Sequence, residues 1–323
     1  MEHNPDKILN VSRLLEKYDE PWLAKYRVGY EKLGIYPKIS VILTTDDAGS
    51  ISYLKGVKKF CTQKGVLFEE FSVTNAAELQ KLLDKLNYGD TSGIMILYPT
   101  GFAEKDTVYM NMVAAEKDVE GLHNAHLGYL MQFEKFRDVS RLRKLVIPPT
   151  AKGIMYLFKR YFLDYEEYRD QYGSYPDSLT ENPFLIEGKR ITIVNDSLAV
   201  GRSLAMMLLN ENGSVQICHK YSPFTDIIKA VEDSDIVISA VPSKHFCIPT
   251  SALRRNSIVV DISFEGNFEY PSVFEKVYKI APRWDLQPKG NRINDMTLCR
   301  LISNLYYLIN SRLPDDMLKQ LEE

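Results

Sequence analysis

Short apolar runs alternate with longer amphipathic ones along most of the 323-residue chain. The run 38–43, Lys-Ile-Ser-Val-Ile-Leu, is β-branched and closed by the polar turn 44–50, which predicts a buried strand. The pattern then predicts a helix over 51–63, a strand over 66–73, a helix over 76–86 and a strand over 93–98 that Pro99, Thr100 and Gly101 stop. Residues 107–117 read as a further helix. The rhythm restarts with strand 190–194, helix 198–211, strand 214–219, helix 223–232 and strands 235–241 and 257–262. Between the two series, residues 163–183 are rich in Tyr, Asp and Glu with two prolines, and predict an irregular insertion. Strands alternating with helices predict parallel sheets with right-handed crossovers. The expected fold is therefore α/β with two domains, the second a Rossmann-type dinucleotide-binding unit. A last helix over 295–311 places Leu298, Leu301, Ile302, Leu305 and Leu308 on one face, expected to pack back on the first domain.

Composition narrows the function classes. Apolar residues make up 45% of the chain and charged residues 26%, with a formal net charge of -3. That balance supports buried cores and gives no reason to expect nucleic acid or an anionic membrane as a partner. No apolar run approaches the ~20 residues that span a bilayer, and the polar start, 1–7, does not read as a signal peptide. Cys61, Cys218, Cys247 and Cys299 form no CxxC pair and no metal-ligand spacing with the five histidines. They read as reduced core cysteines of a cytoplasmic protein, and no metal is expected.

Ligands of open α/β sheets bind beyond the carboxyl ends of strands. Candidate functional positions therefore follow Leu43, Tyr98, Val194, His219, Val241 and Ile262, the last pair bringing in Val241 and Ser263. The turn after Val194 reads Asn195-Asp196-Ser197-Leu198-Ala199-Val200-Gly201. A dinucleotide turn delivers pyrophosphate to a helix N-terminus. Gly201 alone remains of a glycine-rich pattern, so an ordinary strand-to-helix turn capped by Ser197 stands beside the dinucleotide reading.

Several segments, in order, resemble the methylenetetrahydrofolate dehydrogenase/cyclohydrolase family over nearly the whole chain. Ser50-Ile51-Ser52-Tyr53 with Lys58-Lys59 looks like its first active-site helix, and Leu97-Tyr98-Pro99 like its folate-site strand end. Glu116-Lys117-Asp118-Val119-Glu120-Gly121-Leu122, the most specific string, looks like its pterin-binding loop. Pro148, Thr150 and Lys152-Gly153 look like the opening of its cofactor domain. Ser197, Val200 and Gly201 match its cofactor turn, and Met296-Thr297 the start of its final helix. The resemblance implies a folate-binding catalytic domain over 1–147 and 298–323, an NAD-binding domain over 148–297, and a homodimer formed through the cofactor domains.

The departures are informative. Bifunctional members carry a lysine one turn after the tyrosine; here that position is Val57. Lys58 is rotated by about 100° around the helix and is not expected in the same site. Tyr98 stands where bifunctional members have glutamine, and Glu120 where they have aspartate. All three changes resemble the monofunctional NAD-dependent branch. Pro149, Ser203 and the stretch Asn291, Arg292, Asn294, Asp295 also depart from the family, the last from a glycine-rich segment that closes over the ligands.

Under this resemblance Glu120 anchors the pterin of methylenetetrahydrofolate, against a reading as a solvated loop acid. Tyr53 lines the folate site by stacking or through its hydroxyl, and Tyr98 contacts folate; both also read as ordinary packed tyrosines. Asn195, Asp196, Ser197, Gly201, Lys220, Val241, Ser263 and Thr297 are the expected cofactor residues. Thr297 either meets the cofactor amide or caps its helix. Asp196 opposes a ribose phosphate and suits a ribose hydroxyl, which favours NAD over NADP, while Lys220 falls where relatives contact that phosphate. Asp196 and Lys220 alternatively pair with each other. The expected activity is hydride transfer in one-carbon metabolism without cyclohydrolysis. The competing expectation is a catalytically silent folate- or nucleotide-binding protein of the same fold.

Overall fold

The computed structural model describes residues 7–159, 186–287 and 292–322; the predicted insertion over 163–183 and Asn291 lie outside them. The chain divides into two compact units, one of Glu16–Pro149 with Leu298–Glu323 and one of Met1–Leu15 with Thr150–Thr297. We call them the N-terminal unit and the Rossmann unit.

The N-terminal unit is built on a parallel sheet of β1 (Lys38–Leu43), β2 (Leu67–Ser72) and β3 (Gly93–Ile96), in the order β2-β1-β3. Central β1 is buried along its middle, whereas edge β2 has only exposed and half-buried positions. The helix Ala48–Gln63 begins where Asp47 accepts a hydrogen bond from the Ser50 N–H at 3.0 Å. The helix Ala76–Tyr88 is capped twice: Asn75 accepts from the Glu78 N–H, and Glu78 reaches back to the Thr74 N–H. Its far end is closed by Lys117, which is buried and donates to the carbonyls of Leu86 at 2.8 Å and Gly89 at 2.7 Å. Leu79 and Leu83 pack from this helix on Ile42, Ile94 and Ile96.

The expected helix over 107–117 stops at Met112. Beyond it the chain returns to the sheet, where Asp118 bridges Ile94 in parallel and the Ile94 N–H donates to the Lys117 carbonyl at 2.7 Å. The long helix Ile293–Asn310 contributes its residues from Leu298 onward to the N-terminal unit. Leu298, Leu301, Ile302, Leu305 and Leu308 are all buried, as the apolar face predicts. Tyr306 packs between Tyr26 and Tyr30 of the helix Glu20–Lys32, and Arg300 forms an enclosed ion pair with Asp19.

The Rossmann unit holds a five-stranded parallel sheet of β4 (Arg190–Val194), β5 (Ser214–Cys218), β6 (Ile236–Ser239), β7 (Ile258–Asp261) and β8 (Lys279–Ala281). Its order, β5-β4-β6-β7-β8, reverses direction between β4 and β6. That switch point is where doubly wound sheets open a crevice for ligands. β8 is too short to leave a periodic signal in the sequence. It carries a further neighbour: Ile8 bridges Ile280 in parallel, and the Leu9 N–H donates to the Ile280 carbonyl at 2.8 Å. Residues 7–15 therefore cluster with the Rossmann unit, and Leu9 is buried beside that sheet edge. Cys61, Cys218 and Cys299 are buried, but Cys247 is exposed and so is not a core cysteine. No helix among the described residues is long and apolar enough to cross a membrane.

Candidate functional site

In the N-terminal unit the carboxyl ends of β1 and β3 and the loop 118–121 bring the candidate chemistry together. Asp118, buried, organises the loop. Its Oδ1 accepts from the N–H groups of Glu120 and Gly121, both at 3.0 Å, and its Oδ2 accepts from the His123 N–H at 2.8 Å. Gly121 has φ +66°, and a Cβ there would meet the Ile147 carbonyl carbon at 2.9 Å, so the turn requires glycine. Asn304, fully buried on the closing helix, donates to the carbonyls of Val119 at 2.9 Å and Ile147 at 2.8 Å. The loop that presents Glu120 is thus fixed on both sides.

Burial pushes the Glu120 carboxyl well above the usual carboxylate range. The neighbouring Asp118 charge adds to this, and a hydrogen bond from the Ile96 backbone works against it. Tyr53 and Tyr98 are each half-buried. Their phenols are pushed far up, by burial first and by the Glu120 charge second, which places both within the field of that carboxylate. Tyr98 precedes a cis peptide bond to Pro99 at the end of β3. The three N-terminal candidates therefore share one electrostatic neighbourhood.

Val57 is fully buried on the Ala48–Gln63 helix. Lys58 turns to the adjacent sheet edge, where its ammonium pairs with Glu70 at 3.2 Å and lies 5.8 Å from the Phe68 ring centre. No lysine stands one turn after Tyr53.

In the Rossmann unit the candidates fall into two hydrogen-bonded groups. Asn195 ties the switch point together. Its Nδ2 donates to the Ala240 carbonyl at 3.0 Å, and its Oδ1 accepts from the N–H groups of Ser197 at 2.9 Å and Gly201 at 3.0 Å and from the Ser197 hydroxyl at 2.7 Å. The Ser197 hydroxyl also accepts from the Val200 N–H at 3.2 Å, so it caps the following turn. Both side chains hold the turn's shape. A Cβ on Gly201 would overlap the Asn195 carbonyl, so the cradle after β4 exists only with glycine there.

Asp196 pairs with Arg202 at 3.4 Å, both exposed, while the Lys220 ammonium lies 4.8 Å over the Tyr221 ring. The alternative pairing of Asp196 with Lys220 is thereby replaced. The opening turn of the helix, Leu198–Arg202, is a π-turn whose last residue, Arg202, makes this pair.

The second group centres on Asn267 and Asp261, which the sequence reading missed because polar residues in irregular loops carry no periodic signal. Asn267 Oδ1 accepts from the Ser239 hydroxyl at 2.7 Å and the Val241 N–H at 2.8 Å, and its Nδ2 donates to the Val241 carbonyl at 3.1 Å. Asp261 accepts from the Ser263 hydroxyl at 2.6 Å, the Asn267 N–H at 2.9 Å and the Tyr270 hydroxyl at 3.0 Å. Burial raises the Asp261 carboxyl. Val241 and Ser263 thus sit on one network across the ends of β6 and β7, with their backbone and hydroxyl groups already engaged. Thr297 is buried, and its hydroxyl donates to the Ile293 carbonyl at 3.0 Å. It lies inside its helix, not at the cap, because the helix begins at Ile293.

Comparison with known proteins matches two family models in order. Residues 10–120 match the tetrahydrofolate dehydrogenase/cyclohydrolase catalytic domain, and residues 177–312 match the NAD(P)-binding domain of the same family. The bifunctional protein FolD of Thermotoga maritima is 29% identical over 265 residues, covering 78% of this chain and 83% of that protein. FolD of Bacillus licheniformis is 28% identical over 295 residues, covering 87% and 90%. Among solved structures, the bifunctional FolD of Campylobacter jejuni has a TM-score of 0.74 at 24% identity, covering 95% of this chain and 99% of that one. The NAD-dependent 5,10-methylenetetrahydrofolate dehydrogenase of Saccharomyces cerevisiae has a TM-score of 0.75 at 22% identity, covering 93% and 96%. These two show the same fold.

Proposed function

The chain belongs to the tetrahydrofolate dehydrogenase/cyclohydrolase family, and from that premise we propose that it is an NAD-dependent methylenetetrahydrofolate dehydrogenase without cyclohydrolase activity. The observation that carries the reading is the pair Val57 and Lys58: the first is sealed in the core and the second is spent on Glu70.

Oxidising the methylene bridge moves a hydride and leaves a cation shared by two nitrogens. NAD, when bound, supplies the acceptor for that hydride, so the side chains have to position and polarise, not to take a proton. Glu120, ionised, accepts paired hydrogen bonds from the pterin amino group and ring N–H. Tyr53 and Tyr98 keep their protons, since burial raises both, and offer hydroxyls in the field of Glu120. Hydrolysing the oxidised product needs activated water and a group to handle its proton. An apolar side chain at 57 supplies neither.

The Rossmann unit fits a dinucleotide on its own geometry. The strand order reverses beside the Gly201 cradle, which a Cβ would fill. Asn195 and Ser197 hold the turn open for a pyrophosphate, and Val241, Ser263 and Thr297 border the cofactor. Asp196, at the turn, disfavours a ribose phosphate and accepts from a ribose hydroxyl, which supports NAD. Lys220, over Tyr221, is free of Asp196 to meet the adenosine end. On the family resemblance the enzyme works as a homodimer, which light scattering tests.

The test is to mix purified protein with methylenetetrahydrofolate and follow the absorbance of reduced cofactor. NAD supports faster turnover than NADP, and the methenyl product accumulates without enzyme-accelerated hydrolysis. No turnover with either cofactor overturns the reading. Saturable binding of folate or NAD without turnover would instead support a silent binding protein. The charged Arg292, 5.4 Å over the Trp284 ring in a segment where the family resemblance implies glycines, is the observation on that side.

A further inference from the structure

The peptide unit that joins Ala240 to Val241, just past β6, is gripped from both sides. Its carbonyl accepts from Asn195 Nδ2 at 3.0 Å, and its N–H donates to Asn267 Oδ1 at 2.8 Å. Asn195 follows β4 and Asn267 follows β7, the two strands that flank β6 in the sheet. Asn267 goes one step further, since its Nδ2 donates to the Val241 carbonyl at 3.1 Å. Asn267 is itself fully buried and tied down. Its Oδ1 also accepts from the Ser239 hydroxyl at 2.7 Å, its N–H donates to Asp261 Oδ2 at 2.9 Å, and its carbonyl accepts from the Ile248 N–H at 2.8 Å.

We propose that Asn267 is a positioning residue for hydride transfer: by fixing the Val241 backbone it sets the shelf for the nicotinamide half of the dinucleotide, while the adenosine half is held without it. This rests on the reading of the Rossmann unit as an NAD site.

The division follows from the sheet. On that reading the pyrophosphate belongs to the Gly201 cradle after β4, and adenosine to Asp196 and Lys220, beyond β4 and β5. That leaves the nicotinamide half for the other side of the switch point, over the ends of β6 and β7. Val241 stands there, two residues beyond β6 and half-buried. The cradle does not depend on Asn267. Asn195 shapes it through the N–H groups of Ser197 and Gly201, and those bonds lie on the β4 side. The end of β6 does depend on Asn267. Holding both edges of Val241 takes an acceptor for its N–H and a donor for its carbonyl on one planar group, and an amide carries both. Without that amide the Val241 N–H loses its partner, while the Val241 carbonyl keeps a bond from the Ser243 N–H at 2.9 Å. The backbone there can then shift, and a displacement of about 1 Å can cost about 100-fold in the rate of a reaction that needs close approach.

The experiment uses the full chain, with ADP as the probe of the adenosine half. Calorimetry gives ADP affinity, and single-turnover mixing with methylenetetrahydrofolate gives the rate of NAD reduction. Asn267→Ala removes every bond of the amide. Asn267→Asp keeps its shape and the Oδ1 acceptor and loses only the donor, so it stands in if the alanine variant does not fold. ADP affinity should stay within about twofold of the wild type, as for a site that shares no partner with residue 267. The rate of NAD reduction should fall by about 10- to 100-fold in Asn267→Ala, and in the same direction in Asn267→Asp. A residue that merely supports the fold would move ADP binding and the rate together. That result in both variants overturns the proposal, and so does an unchanged rate in either variant that binds ADP normally. If one variant loses ADP binding, the other decides. A wild type that turns over with neither NAD nor NADP fails the functional reading, and this one with it. Wild-type turnover beside undisturbed variants fails only the role of Asn267.

Discussion

A Cβ on Gly201 would lie 1.9 Å from the Asn195 carbonyl oxygen. The chain leaving β4 therefore doubles back against itself within seven residues, and the Gly201 N–H returns to Asn195 Oδ1 at 3.0 Å. Gly201→Ala cannot fit without displacing backbone, and overpacking of this kind costs about 1–3 kcal/mol. We expect a lower thermal midpoint and an NAD affinity weakened by at least about tenfold, roughly 1.4 kcal/mol. Wild-type NAD affinity in this variant would show that the turn does not carry the cofactor.

Val57 and Lys58 make opposite predictions one residue apart. Lys58→Ala removes an exposed ion pair with Glu70, worth about 0–1 kcal/mol. Dehydrogenase turnover should stay within about twofold. Val57→Lys puts an ammonium into a fully buried position, so stability should fall by several kcal/mol, on the order set by burying an unpaired charge. Hydride transfer should not improve. Chemical denaturation and initial rates measure both. Loss of turnover in Lys58→Ala would place Lys58 in the site and reopen the cyclohydrolase step.

The parts legible in the sequence are those that bury both faces of a strand. β1 and β4 are short runs rich in β-branched apolar residues, and their predicted bounds match the structure, whereas β8 is three residues long and invisible without its neighbours. The placement of Leu9 beside Ile280 depends on a partner far along the chain, which no local pattern encodes. The same divide runs through the site. Glu120 and Tyr53 stood out by their motifs. Asp118, His126 and Asn267 act through bonds to backbone groups in other segments, and those partners exist only once the loops are folded. The pairing of Arg202 with Asp196 is not legible in the sequence because Asp196 lies before the helix cap, where helical spacing does not say which side chain it meets.

As the proposed pterin anchor, Glu120 should cost the fold stability when it is ionised. Its carboxyl is raised in the folded protein, by burial first and by Asp118 second. A raised acid binds its proton more tightly folded than unfolded. Its contribution is therefore fully present below the unfolded value near 4.5 and is lost as pH rises through the folded value. Glu120→Gln carries no charge at any pH, so it should be more stable than the wild type, with a margin that widens as pH rises. The same variant loses the ionised acceptor and should bind tetrahydrofolate at least about 100-fold more weakly, near 2.7 kcal/mol. Thermal unfolding across pH beside a binding isotherm tests both halves. A variant less stable than the wild type at high pH would show that Glu120 is satisfied by the protein and is not held for a ligand.

Asn304 fixes the height of the Glu120 loop through two carbonyls, Val119 and Ile147. Asn304→Ala leaves both buried acceptors unpaired, at about 1–3 kcal/mol each if no water replaces the amide. The loss should appear in stability and in a raised KM for the folate substrate. Asn304→Asp should be worse than alanine, because it sets a buried carboxylate against two carbonyl oxygens. Urea unfolding ranks the two. Equal stability of both variants with the wild type would mean that the loop is held by Asp118 alone.

Under the proposed function, the choice between NAD and NADP turns on Asp196 and on its pairing with Arg202. The two charges are exposed and 3.4 Å apart, so the pair itself adds about 0–1 kcal/mol to stability. On that reading its effect on specificity is larger, because Asp196 both repels a ribose phosphate and engages Arg202, a cation suited to receive one. Asp196→Ser removes the repulsion and releases Arg202 in one step. We expect the ratio of kcat/KM for NADP to that for NAD to rise by about 10- to 100-fold, roughly 1.4–2.7 kcal/mol, with the unfolding midpoint nearly unchanged. Arg202→Ala should not raise that ratio, since the repelling carboxylate stays. The double variant Asp196→Ser, Arg202→Ala should fall between them, having lost the repulsion without gaining the cation. If the single Asp196→Ser variant leaves the ratio where it was, the phosphate is read elsewhere, and Lys220 over Tyr221 is the next side chain to change.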